Sequence, residues 1–415
     1  MDHDTIISIL KEWNPWEKTI FTGIPRSAYL ARIYPYLERK EILVLTGIRR
    51  AGKSTIMKQL MQELIRNQVD KKQILYLNLE DYKFMPNLTV SLFDDVLQAY
   101  KKYFKNTNRT NRIYLFIDEA QKITGWESWV RTYYDRDENI KFIVSGSSAS
   151  LLSREFSTLL TGRNISFTVK PLTFTEFCAF QPAQPFDEHT VESYIQWGGF
   201  PEVVLEPQQE KKKTLLQQYF SDILNKDIIE RHQIRNTKQL IELARYLVSS
   251  AGGKVSVNKL SRILGISKDT VSLYINYLID AYLLYEVPWF SYSLKIRHDV
   301  TKLPKLYAAD NGLIQVAGLQ QNLGLLVENA VLVHLLENYK EVMYWSGTQS
   351  EVDFIVDTLA INVTFTDKIP AREKQGLEDF KKQHQHYSTL LITKTTTKPG
   401  WASLQGFLEG KSTKP

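Results

Sequence analysis

The chain has 415 residues, of which 43% are apolar and 24% charged, with a formal net charge of +6. Such a length exceeds one ordinary core, so about two to four domains are expected, and the composition excludes a disordered chain. A charge this mild is compatible with a nucleic-acid partner without demanding one.

The N-terminus, M-D-H-D-T, lacks the basic-then-apolar layout of a signal peptide. The longest apolar runs, such as Ile113 to Ile117, are far too short to span a bilayer. The single cysteine, Cys178, rules out an intramolecular disulfide and fits a reducing compartment. Its apolar surroundings, Thr175 to Phe180, suit a packing thiol better than a reactive one. The cytoplasm is the expected address, with no membrane partner.

Residues 1–36 predict an amphipathic helix carrying Ile6, Ile7, Ile9 and Leu10, then an aromatic lead-in with Trp13, Pro15 and Trp16. From 37 to 190 short apolar runs alternate with helical periodicity. Ile42 to Leu45, Ile74 to Leu77, Ile113 to Ile117 and Lys141 to Val144 read as strands, and 53–67, 92–104 and 127–134 as helices. Continuous apolar strands separated by helices predict an α/β fold with a parallel sheet covered on both faces. After Phe180 the strands give way to helical periodicity over 191–295, and a mixed α/β region closes the chain over 296–415.

Gly47-Ile48-Arg49-Arg50-Ala51-Gly52-Lys53-Ser54 matches G-x-x-x-x-G-K-[ST] between a strand and a helix, the context that a phosphate-binding P-loop requires. Its glycines let backbone N–H groups, including those up to Thr55, curl around one anion at the positive end of a helix. Lys53 would reach the β- and γ-phosphates of ATP, and Ser54 would give a hydroxyl to Mg²⁺. The third strand runs into Asp118-Glu119, a Walker B pair: Asp118 would hold the metal and Glu119 would activate the attacking water. Ser145, at the tip of the fourth strand, would sense the γ-phosphate, the alternative being an N-cap for the following helix. Thr161-Gly162-Arg163 places an arginine that would neutralise phosphoryl charge, in cis or from a neighbouring subunit, or would simply be a surface residue. An acid pair and a polar strand tip favour the ATPase branch of the P-loop fold over kinases or GTPases.

G-I-R-R-A-G-K-S-T, L-F-I-D-E-A-Q, V-S-G-S-S-A-S, L-L-T-G-R, P-L-T-F-T-E-F and G-G-F-P-E-V-V occur in that order. Together they resemble the prokaryotic AAA+-type ATPases whose C-terminal half carries a winged helix and then a restriction-endonuclease-like domain. The resemblance spans about residues 20–400 and implies an ATP-binding core that hydrolyses ATP, with the purpose left open.

Val255 to Ile266 reads as a helix ending at Gly265, and Ser267 caps a second helix to Ala281 with Val271, Tyr274, Ile275 and Leu278 inward, the helix-turn-helix signature. Leu283 to Val287 would begin a wing. Ser267 to Ala281 holds Lys268, Asp269 and Asp280 and no arginine, poor for gripping DNA, so a structural or nucleotide-lever role stands beside DNA contact. In the nuclease-like domains that this chain resembles, a helical Glu, a strand Asp and an E-x-K triplet converge on Mg²⁺. Glu328 and Asp353 match the first two; Asn362 and Thr364 stand where the triplet's Glu and Lys belong. Losing a charged ligand and the lone cation predicts a nuclease fold without catalysis. Lys368 is a possible substitute cation, and Glu351 and Asp357 read as solvated strand charges. The sequence from Lys368 onward leans basic, a second candidate nucleic-acid contact. A protein partner and an oligomeric state are left open.

Overall fold

A computed structural model describes residues 1–104, 112–147, 162–181, 187–292, 303–318, 322–366 and 368–411. The chain divides into two compact units, Met1–Lys170 and Pro171–Pro415. Among the described residues no helix is long and apolar enough to cross a membrane.

In the first unit, α1 (His3–Trp13) and α2 (Ser27–Ile33) precede β1 (Ile42–Thr46) and α3 (Lys53–Arg66). There follow β2 (Ile74–Asn78), α4 (Ser91–Tyr103), β3 (Ile113–Asp118), α5 (Trp126–Asp135), β4 (Ile140–Ser145) and β5 (Asn164–Thr168). The strands form one parallel sheet in the order β2-β3-β4-β1-β5. Every residue of β1 is buried, which is why it reads as an unbroken apolar run. On one face Ile6 and Leu10 of α1, Leu97 and Tyr100 of α4, and Trp126 and Trp129 of α5 share a core with Leu77, Leu115 and Val144 of the sheet. The aromatic lead-in covers the sheet edge. Asn14 accepts from the Tyr76 amide at 2.7 Å and donates to the Tyr76 carbonyl at 2.9 Å, and Trp16 donates to the Ile74 carbonyl at 2.7 Å. These bonds occupy β2 groups that a bare edge would expose.

Strand β5 escapes the sequence reading. Asn164-Ile165-Ser166-Phe167-Thr168 alternates polar with apolar residues because it is an edge strand, paired only with β1.

The second unit opens with α6 (Phe174–Phe180), α7 (Glu188–Trp197), α8 (Pro201–Leu205) and α9 (Gln209–Asp222), the last running on through a π-helical stretch, Ile223–Ile229. Cys178 is buried and free in α6, and burial pushes its thiol up to about 11, so it packs rather than reacts. Next come α10 (Thr237–Ser249), β6 (Gly253–Lys254), α11 (Val257–Leu264), α12 (Lys268–Asp280), β7 (Leu284–Val287) and β8 (Lys305–Ala308), with a small antiparallel sheet in the order β6-β8-β7. Gly265 ends α11 at φ 65°, and the Ser267 hydroxyl caps α12 on the Thr270 amide. The remainder is α13 (Asn311–Ala317), α14 (Leu323–Asn338), β9 (Met343–Ser346), β10 (Glu351–Val356), β11 (Leu359–Val363), α15 (Ala371–Gln383), β12 (Ser388–Thr393), β13 (Trp401–Ser403) and α16 (Leu404–Leu408). Its five-stranded sheet runs β13-β12-β11-β10-β9, antiparallel across β9, β10 and β11 and parallel beyond.

The motif G-G-F-P has a packing explanation. The Gly199 amide donates to Asp310 Oδ2 at 2.6 Å, the Gly312 amide donates to Oδ1 at 2.8 Å, and Leu172 N donates to the Gly199 carbonyl at 2.7 Å. Burial lifts the Asp310 carboxyl to about 7 against these two amides. Gly198 sits at φ 72°, ψ −160°, a region essentially reserved for glycine, and a Cβ there would lie 1.9 Å from Asp310 Oδ1. Gly198→Ala is therefore expected to destabilise the second unit by about 3 kcal/mol or more, read as a fall in its urea midpoint.

A buried histidine makes a pH prediction. His334 of α14 is 9% exposed, lies 5.0 Å from the Phe407 ring, and its Nε2 has no protein partner; burial pushes its pKa down to about 4. The unfolded chain binds a proton near pH 6.5 that the folded chain refuses until about pH 4, so this stability is present above pH 6.5 and lost as pH falls towards 4. Asp310, with a raised pKa, acts in the opposite sense over 3.8 to about 7, so the informative quantity is a difference between variants. His334→Leu should gain about 2 kcal/mol on wild type between pH 7.5 and pH 5 in chemical unfolding; equal pH slopes would refute it.

Candidate functional site

Parallel order brings the C-terminal ends of β1, β3 and β4 side by side, with Leu45 level with Ser145 and Ile117 with Val144. The segments leaving those strands carry the chemistry-bearing residues, as open parallel sheets arrange it.

After Thr46 the chain turns through Gly47 at φ 129°, Arg50 at φ 69° and Gly52 at φ 97° before α3 begins at Lys53. A Cβ on Gly47 would lie 2.0 Å from the Val169 carbonyl oxygen, whereas one on Gly52 would meet nothing within 4 Å. Gly47 is thus demanded by close approach and Gly52 by its backbone angle. Ile48 and Ala51 are buried, Arg49 pairs with Glu80 at 3.4 Å, and Ser54 and Thr55 follow Lys53 in the first turn of α3. Lys53 is 5% exposed and its ammonium donates to the carbonyls of Gly47 at 2.9 Å and Ile48 at 3.1 Å.

At the end of β3, Asp118 is buried and accepts from the Tyr76 hydroxyl and from Ser145 Oγ. Burial, then the Asp118 charge, holds the Tyr76 phenol well above its ordinary value, so it remains a donor. Glu119 takes the left-handed angles φ 58°, ψ 47°, uncommon for a non-glycine residue, and its amide donates to Ser145 Oγ at 3.1 Å. Its carboxylate accepts from the Gln121 side chain, which also reaches Ser147 Oγ at 3.4 Å. Burial raises the Glu119 carboxyl, and the Lys53 ammonium pulls the other way.

Lys53, Asp118, Glu119 and Ser145 are thereby brought together. Ser145 ties the acid pair to β4, and the segment that it would otherwise cap lies outside the described residues. Arg163 is not brought to them. Its carbonyl accepts from Ile42 N at 2.8 Å at the opposite end of β1, about 13 Å from the loop on a strand rising about 3.3 Å per residue, and its guanidinium pairs with Asp135 at 3.1 Å. Of the three readings left open for Arg163, this placement speaks against action in cis and leaves a neighbouring subunit or a surface role. Thr161 and Ser148 of the same motifs lie outside the described residues.

Sequence reasoning missed Arg26 and Tyr29. Arg26 is 2% exposed; its guanidinium donates to the Ala51 carbonyl at 3.0 Å and the Lys170 carbonyl at 2.8 Å, and it lies 4.4 Å over the Tyr29 ring. Tyr29 Oη donates to the Thr168 carbonyl and accepts from Lys170 N, both at 3.1 Å, and Val169 N donates to the Thr46 carbonyl at 2.7 Å. The last residues of the first unit are thus stitched to the phosphate loop. An arginine and a tyrosine about 20 residues ahead of the loop carry no motif that would have revealed this.

The nuclease-like residues occupy the second unit. Asn362 is 1% exposed and braces the sheet: its Oδ1 accepts from Asp353 N at 3.0 Å, and its Nδ2 donates to the carbonyls of Glu351 at 3.2 Å and Glu373 at 2.9 Å. Glu351 is not a solvated strand charge, contrary to expectation. It pairs with Lys305 at 2.6 Å and Lys254 at 2.7 Å. Asp357 is exposed in a turn at φ 44°, and Lys368 is exposed. Burial, then the Glu328 charge, pushes Asp353 well above the usual carboxylate range, with Lys305 opposing.

A parallel five-stranded sheet carrying a phosphate loop and an acid pair defines an AAA+-type P-loop ATPase core. Residues 39–178 match the AAA domain family, and residues 188–323 match a domain of unknown function, DUF8612. The uncharacterized protein MJ1544 of Methanocaldococcus jannaschii is 31% identical over 336 residues, 76% of this chain and 72% of that protein, and the chain belongs to its family. An uncharacterized protein of Haemophilus influenzae is 28% identical over 387 residues, 89% of this chain and 93% of its own length. Among solved structures, the Thermotoga maritima RuvB Holliday junction branch migration motor aligns at 17% identity over 64% of this chain and 90% of its own, with a TM-score of 0.34. The Aeropyrum pernix ORC1 protein in complex with DNA aligns at 11% identity over 76% and 95%, also at 0.34. Likenesses this distant carry no argument here.

Proposed function

We propose that this protein is a Mg²⁺-dependent ATPase whose nucleotide state sets the state of its C-terminal half. The observation that carries this reading is the convergence of Lys53, Asp118, Glu119 and Ser145 on one sheet end beside the first turn of α3. The donor set fits a nucleotide: first-turn amides of α3, the Lys53 ammonium, the Ser54 hydroxyl and the Asp118 carboxylate suit a triphosphate and its metal. Bound Mg²⁺ would neutralise phosphate charge. Lys53 would exchange its two carbonyl partners for phosphate oxygens. Glu119, its carboxyl raised by burial, would leave Gln121 to take the proton of the attacking water. Ser145 would hold the acid pair in register through that exchange.

In this reading 37–190 is the ATPase core, 191–295 a winged-helix domain and 296–415 a nuclease-like domain without catalysis. Two helices joined at Gly265 and a sheet in the order β6-β8-β7 support the second assignment; Asn362 acting as a brace supports the third. The bonds from Arg26 and Tyr29 to residues 168–170 supply a route by which the loop would act on the segment leading into the second unit. DNA, reached through α12 or the basic sequence from Lys368 onward, and a protein are the two partners that fit this reading.

The deciding experiment is the ATPase rate of the full chain with Mg²⁺, alone and with single- or double-stranded DNA. Turnover accelerated by DNA supports the reading; turnover unchanged by DNA moves the partner to protein. No turnover under any condition leaves only a nucleotide-gated binder, which the bond between Glu119 and Gln121 would explain.

A further inference from the structure

In the second unit a cavity of ≈690 Å³ is lined by Glu328 of α14, Glu351 and Asp353 of β10, Glu373 of α15, Arg372 and Lys305. Lys305 lies on β8, a strand paired on both sides, and only 4% of its side chain is exposed. We propose that the Lys305 ammonium stands where a divalent cation would bind, so that the chain's own cations neutralise this nuclease-like cavity and exclude a metal from it.

Geometry carries the argument. Lys305 Nζ is 2.6 Å from Glu351 Oε1, 3.4 Å from Glu328 Oε1 and 3.8 Å from Asp353 Oδ1. A point within 4 Å of three carboxylates from two elements is where they would jointly hold Mg²⁺ at about 2.0–2.1 Å or Ca²⁺ at about 2.3–2.6 Å. An ammonium and a divalent ion cannot share that point, sterically or by charge. Lys254 adds a second ammonium 2.7 Å from Glu351 Oε2, so two single charges stand in for one double charge. Arg372 pairs with Glu373 at 3.0 Å, so three cations face the four carboxylates Glu328, Glu351, Asp353 and Glu373. Tyr307 donates to the same Glu328 Oε1 at 2.6 Å, and the Val363 amide donates to the other oxygen of Asp353, Oδ2, at 2.9 Å. A lysine this buried, ringed by carboxylates, is part of the fold rather than a mobile surface charge.

The test is Mn²⁺ uptake by the full chain without nucleotide, followed by the loss of the free-ion electron paramagnetic resonance signal. It is independent of ATP hydrolysis, so this inference and the ATPase reading fail separately. Wild type should show no Mn²⁺ uptake that Asp353→Asn removes. Lys305→Met, which keeps the length of the stem and drops its charge, should take up one Mn²⁺ at a concentration where wild type takes up none at this site. Adding Asp353→Asn should abolish the gain. Should Lys305→Met not fold by circular dichroism, Lys305→Gln replaces it with the same expectation. Uptake by wild type that Asp353→Asn removes, or a folded Lys305 variant with no gain, overturns the proposal.

Discussion

Lys53→Ala should weaken ATP binding by about 10- to 100-fold, the loss of charge-assisted hydrogen bonds worth about 1.5–3 kcal/mol. Without nucleotide the ammonium donates to the carbonyls of Gly47 and Ile48 in a buried turn, so its removal leaves buried acceptors to find other partners. The empty variant should therefore melt below wild type, and each protein's shift on adding ATP is read against its own empty state. The measurement is thermal unfolding with Mg-ATP. Wild type at 100 times its dissociation constant gains about 2.7 kcal/mol, and the variant at the same ATP concentration should gain about 0.4–1.4 kcal/mol. A variant stabilised by ATP as much as wild type would remove Lys53, and with it the phosphate loop, from nucleotide recognition.

Glu119→Gln should lower turnover by about 100-fold or more while leaving ATP affinity near wild type, because a general base acts on the attacking water and not on the bound phosphates. The backbone at φ 58° should persist, since it is tied through the amide to Ser145 Oγ and not through the carboxylate. The same residue sets a pH limb. Burial lifts the Glu119 carboxyl, so on acidification the base is protonated, and turnover lost, at a higher pH than for an ordinary glutamate. Single-turnover rates against pH, with filter binding of ATP in parallel, separate the two effects. Equal turnover in the two proteins would place the base elsewhere.

The first-unit sheet was legible because buried parallel strands announce themselves as apolar runs: Ile42 to Leu45 and Ile113 to Ile117 lie inside β1 and β3. The edge strand β5 was not, since one partner and partial exposure leave alternation in place of a run. The loop could be read from eight contiguous residues because its chemistry is made by consecutive backbone groups. The cap at Ser267 and the glycine at 265 were equally local and equally readable.

Contacts between distant segments were not. Arg26 meets Lys170 across 144 positions, and Asp310 meets Gly199 across 111. Lys305 reaches Glu351 and Asp353 from another sheet, so Glu351, a plain strand charge in sequence, became part of an ion-pair cluster. The sequence alone determined the candidate residues for phosphate and metal, because strand, loop and helix there follow one another along the chain. Only the tertiary structure decided that Arg163 lies at the far end of its sheet and that a lysine fills the acidic cavity. Which end of a strand faces a site, and which distant side chain enters a pocket, are set by the packing of segments whose spacing in sequence carries no information about their distance in space.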